Sequence, residues 1–69
     1  MSFEQGKSYR HRRTLDTDLY ILEIIDESYE FTIVLGLFTQ RKPKDGIFSK
    51  NPEQLTIKKS EYKNWSLVE

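Results

Sequence analysis

The chain carries one histidine, His11, and no cysteine, so few of its side chains are suited to proton transfer or nucleophilic attack at neutral pH. A Ser-His-Asp arrangement would have to use His11, together with a strained nucleophile turn such as Gly-x-Ser-x-Gly, and that turn is absent. Metal ligation needs several convergent oxygen or nitrogen donors. Asp16-x-Asp18 has a suggestive spacing, but it lacks the glycine and terminal glutamate of a calcium loop. Asp26, Glu27 and Glu30 cluster in a turn, where neighbouring carboxylates are ordinarily solvated. These residues point away from an enzyme: no catalytic residue, cofactor or metal is expected.

Charge offers more. Lys7, Arg10, Arg12 and Arg13 form a basic stretch, and Arg41, Lys42, Lys44 and Lys50 form a second, opposed only by Asp45. Between them lie six acids, Asp16, Asp18, Glu23, Asp26, Glu27 and Glu30, with no lysine or arginine from Thr14 to Val34. If the first strand and the 41–46 loop share a side, Arg10, Arg12, Arg13, Arg41, Lys42 and Lys44 make a phosphate-binding footprint, with Tyr9 or Phe48 available to stack on a base. Against this stand a net charge of zero and a pI of about 6.6, where dedicated nucleic-acid domains often exceed about 9. The plainer reading lays basic and acidic strands side by side, neutralising one another across a sheet. A protein partner, or a second copy of the chain, is the competing target. Leu19, Ile21, Val34 and Phe38 are many apolar residues for one small core, and any left exposed would mark an interface.

Those groups must be held by a small scaffold. Sixty-nine residues support one domain, which buries only about 60% of the surface of its unfolded chain. Without cysteine there are no disulfides, and Met1–Lys7 has no apolar stretch of signal-peptide length, so a cytoplasmic protein is expected. The apolar runs 19–25 and 31–38 are far short of the roughly 20 residues that span a bilayer, so no membrane partner is expected.

Periodicity gives the elements. A lead-in over 1–6, with Phe3 apolar enough to dock, precedes a strand over 7–13 and a loop over 14–18. Residues 19–25 (LYILEII) are apolar on both faces, as in a central strand, and are too few for a convincing helix. After a turn at 26–29, the strand 31–39 sets Phe31, Ile33, Leu35 and Leu37 on one face and Thr32, Val34, Gly36 and Phe38 on the other. Gly36 marks a bend, a bulge or a close approach. The loop 41–46 contains Pro43 and the turn pair Asp45-Gly46, and 47–49 is read as a short strand. In 55–59, Leu55 and Ile57 point inward and Thr56 and Lys58 outward. Ser60 is read as the N-cap of a one-turn helix over 61–64 that aims Tyr62 and Trp65 at the core, before a closing strand over 65–68.

The fold class read from this order is mainly β: a small five-stranded antiparallel barrel with a one-turn helix before the last strand. It resembles the SH3-like small barrels, and Gly6-x-x-Tyr9-Arg10-His11 followed by Tyr20-x-Leu22 resembles short bacterial and phage-encoded members of that class. The Ala-Leu-Tyr-Asp-Tyr run and Trp-Trp pair of signalling SH3 domains are missing, and Trp65 stands near the C-terminus, so polyproline binding is not carried over. The class binds proteins, RNA and DNA alike. What the resemblance implies is therefore a non-catalytic interaction module, an accessory or inhibitory factor of bacterial or phage origin, with nucleic-acid binding as the alternative.

Overall fold

Two runs rich in β-branched and aromatic residues supply the longest strands of a computed structural model that describes residues 2–14, 17–40 and 51–68. β1 (Ser8–His11), β2 (Thr17–Glu27), β3 (Phe31–Gln40), β4 (Glu53–Lys58) and β5 (Trp65–Leu67) form one antiparallel sheet in the order β4-β3-β2-β1-β5. A 3-10 helix, Lys59–Asn64, joins β4 to β5 and packs against both.

Several boundaries move from their expected places, each for a local reason. β1 stops at His11 because the Thr14 N–H donates to the His11 carbonyl, which turns the chain just after the Arg12 N–H has made a last ladder bond, to the Asn64 carbonyl. β2 runs on to Glu27, through part of the expected turn, because its pairing with β3 continues to Glu27 opposite Thr32. Ser28 closes this hairpin: its N–H donates to the Phe31 carbonyl, and its Oγ accepts from the Phe31 N–H. The 3-10 helix starts earlier than the expected one-turn segment. Lys58 occupies the N-cap position and no side chain caps it, so Ser60 is not the cap. The expected turn at 41–46 and strand at 47–49 lie outside the described residues.

The expected bend at Gly36 is built from two features. The register of β2 against β3 shifts between Ile21 and Glu23 and again between Ile24 and Asp26, leaving Leu22 and Ile25 without opposite partners. The first shift lies opposite Gly36. A Cβ at Gly36 would lie 2.6 Å from Leu19 Cδ1 and 2.9 Å from the Tyr20 carbonyl oxygen, so the glycine is needed for space.

One face of the sheet carries the core: Tyr9, Leu19, Ile21, Val34 and Ile57 are buried, with Phe3 and Thr32. Phe3 is anchored here, edge-on to Tyr9, Tyr62 and Trp65 with ring centroids 4.6, 5.0 and 5.6 Å away. The lead-in is thus part of the packing. Tyr9 secures it further, its hydroxyl accepting from the Glu4 N–H at 2.7 Å. Gly6, at φ 84°, donates its N–H to the Ile21 carbonyl. Trp65 is half-buried at the rim. Thr32, fully buried, shares a hydroxyl hydrogen bond with Tyr62, which fastens the 3-10 helix to β3.

Closure of the sheet into a barrel, as expected from the sequence, is not seen among the described residues: β4 and β5 are the two ends of the ladder, and the 3-10 helix spans the gap between them.

Gly36→Ala is expected to cost about 1–3 kcal/mol in urea unfolding, with Leu19→Val recovering part of the loss by vacating the crowded side. Tyr62→Phe is expected to cost about 1–3 kcal/mol by stranding the buried Thr32 hydroxyl, while Tyr62→Phe combined with Thr32→Val costs less than Tyr62→Phe by itself.

Candidate functional site

A strand has two faces, and β2 and β3 are apolar on both, so burying one leaves the other to be accounted for. The register places Tyr20 opposite Leu37, Glu23 opposite Leu35 and Asp26 opposite Ile33. β4 adds Gln54 opposite Leu35, Thr56 opposite Ile33 and Lys58 opposite Phe31. The face turned away from the core is therefore a band of Phe31, Ile33, Leu35 and Leu37 along β3, with Tyr20 and Leu22 on β2 beside it, all half-buried. Exposed Glu23 and Asp26 rim it on one side, and exposed Gln54, Thr56 and Lys58 on the other. None of the band's residues belongs to the buried core cluster or to the hydrophobics packed against it.

Ile21 and Val34, offered by the sequence as partner-binding residues should the core leave them exposed, are 0% exposed in the core, and Leu19 is 1% exposed. Phe38 is half-buried and stays accessible.

Phe38 belongs to a second feature, a cleft of about 340 Å³ at the β1–β5 end, lined by His11, Arg13, Leu19, Phe38, Leu55 and Trp65 among others. Its walls are mainly apolar. His11 stands edge-on to Trp65 with centroids 4.8 Å apart, and its Nδ1 accepts the Arg13 N–H at 3.1 Å, which puts the ring proton of the neutral imidazole on Nε2. Arg12 and Arg13 are exposed beside it.

Arg10 does not join them. Tyr9 pairs with Leu19, and just beyond that pair Arg10 Nε lies 3.2 Å from Asp18 Oδ1, with the Asp18 side chain only 11% exposed. One basic residue is thus neutralised across β1 and β2, as the plainer reading of the charge pattern had it. Lys59 lies 3.5 Å from Glu27, and Lys7 lies 3.4 Å from Glu4. Arg41, Lys42, Lys44, Phe48 and Asp16 lie outside the described residues, and with them the expected joining of the two basic stretches.

Among the described residues no group of three or more His, Asp or Glu side chains converges as metal ligands would. No described helix is long and apolar enough to cross a membrane. No family model, curated protein or solved structure matches the chain.

Sequence reasoning missed Tyr20, Leu22, Ile33, Leu35 and Leu37 as surface residues. A signal was available in the polar residues of the neighbouring strands: Glu23, Asp26, Gln54, Thr56 and Lys58 all share their face.

Arg10→Ala is expected to destabilise the fold by about 1–2 kcal/mol, because it removes a charge-assisted hydrogen bond to the largely buried Asp18 carboxylate. Arg12→Ala, at an exposed site, is expected to stay within about 0.5 kcal/mol of wild type. Parallel urea titrations distinguish the two.

Proposed function

We propose that the chain is a non-catalytic protein-interaction module of the small SH3-like barrel type that grips its partner with the outer face of β2 and β3. The strand order, with a 3-10 helix between β4 and β5, supports the barrel type. The observation that carries the function is the half-exposed band of Tyr20, Leu22, Phe31, Ile33, Leu35 and Leu37. Scattered apolar residues are normal on a surface, but a contiguous band along the two longest strands is the kind of patch that marks an interaction site. Burying it against another protein releases its hydration water, at about 25 cal/mol per Å² of apolar area. The rim is acidic on the β2 side and basic at Lys58, which favours a partner with the opposite arrangement and fixes its orientation. An accessory or inhibitory factor acting by docking is the role that fits these features.

Nucleic-acid binding is the second reading, favoured by exposed Arg12 and Arg13 beside the His11 and Trp65 rings. Pairing of Arg10 with Asp18 takes one cation out of that footprint.

Leu35→Lys tests the choice. Its long stem can lie along the sheet with the amine in water, so stability is expected to fall by no more than about 1 kcal/mol. Wild type immobilised as bait is expected to retain a protein from a lysate of its own source cells, and Leu35→Lys to lose it. Retention by Leu35→Lys, together with steeply salt-sensitive binding of single- or double-stranded nucleic acid that Arg12→Ala with Arg13→Ala weakens, overturns the first reading in favour of the second.

A further inference from the structure

An antiparallel strand alternates in its hydrogen bonding: every second residue aims its N–H and C=O at one neighbour and the rest aim theirs at the other side. The Lys59 N–H donates to the Glu30 carbonyl at 2.9 Å, continuing the β3–β4 ladder one step past β4. Lys59 therefore faces β3, and so do Ile57, Leu55 and Glu53. Gln54, Thr56 and Lys58 direct their backbone groups away from the sheet, where β4 is the terminal strand.

The other terminal strand offers much less. β5 has three residues, and the outward N–H of Trp65 already donates to the Tyr62 carbonyl. The β4 edge is bounded at one end by Pro52, which has no N–H, and at the other by the turn into the 3-10 helix. Between them Gln54, Thr56 and Lys58 are exposed, and the charges that share the core face with Leu55 and Ile57, namely Glu53 and Lys59, stand at the two ends of the strand rather than in its middle.

We infer that β4 pairs antiparallel with β4 of a second copy of this chain, with Thr56 opposite Thr56, so that two five-stranded sheets join into one. The argument for a second copy is self-complementarity in this register. A two-fold axis relating antiparallel neighbours runs perpendicular to the sheet, so residues on the core face of one copy meet core-face residues of the other. Centring the pair on Thr56 sets Gln54 opposite Lys58 of the second copy; the Lys58 carbonyl already accepts within the 3-10 helix that it caps, so the pair makes about four hydrogen bonds, two between the Thr56 residues and one from each Lys58 N–H to Gln54 of the other copy. Centring it on Leu55 leaves Lys58 opposite Pro52, with no N–H to receive. In the Thr56 register half-buried Leu55 meets Ile57 of the second copy on the core face. Glu53 meets Lys59 of the second copy, which already stands 3.5 Å from its own Glu27, so each Lys59 joins two carboxylates.

Sedimentation equilibrium from micromolar to several hundred micromolar protein tests this. Wild type is expected to dimerise. Thr56→Pro deletes an outward N–H that β3 does not use, so it is expected to stay monomeric with an unchanged circular dichroism spectrum. The charge pair provides a second test that does not depend on proline being tolerated. Glu53→Lys and Lys59→Glu each oppose like charges at both symmetric positions and are expected to weaken the dimer at least about tenfold, whereas an equimolar mixture of the two restores it. A wild type that is monomeric throughout overturns the inference. So does a dimer that persists unweakened in the charge variants, which would transfer self-association to another surface.

Discussion

The contact between Leu19 and Gly36 decides which way the sheet faces. The Leu19 side chain fills the space that a Cβ on residue 36 would need, and with the Tyr20 carbonyl also close, neither strand can back away without losing its ladder. Once Leu19 is seated there, period two assigns the rest: Ile21, Val34 and Ile57 follow it inward, and Tyr20, Leu35 and Leu37 are turned outward. The bulges of β2 serve the same end, bending the strand where the glycine leaves room and letting the small core close around Phe3. Interior and surface are consequences of one steric fit.

The electrostatics obey a similar division. Arg10 is drawn into the sheet by a carboxylate on the neighbouring strand, while Arg12 and Arg13, past the end of β1, have no strand opposite them and remain in water. The three arginines of one basic stretch thus play different parts because the chain turns at His11.

Much of the architecture was legible because it rests on local rules. The alternation in Phe31–Thr39, the inward Leu55 and Ile57, the docking of Tyr62 and the bend at Gly36 are all consequences of spacing and residue type. The inward face of the central strands was not legible, because both faces of β2 and β3 are apolar and period two is silent on which is covered. That choice depends on register, which aligns Val34 with Leu55 and Ile33 with Thr56, and register is a long-range property. The helix boundary was misjudged for a different reason: Ser60 has the chemistry of a cap, yet the chain enters the turn from the extended backbone of Lys58 without using a side chain. Among the described residues the ladder ends at β4 and β5, and the 3-10 helix takes up the gap between them.

The register also ranks the parts of the molecule in time. The β2–β3 hairpin pairs residues close in sequence, beginning with Glu27 and Thr32, so its loop closes at small entropic cost. β1 meets β5 through Tyr9 with Leu67 and His11 with Trp65, joining residues from nearly opposite ends of the chain. Assembly therefore runs outward from the hairpin, and the seam between β1 and β5 closes late, when Phe3 enters its aromatic surroundings. The same seam is the first to open in the native state, which makes its amides the fastest to exchange with solvent among the ladder-bonded amides of the sheet.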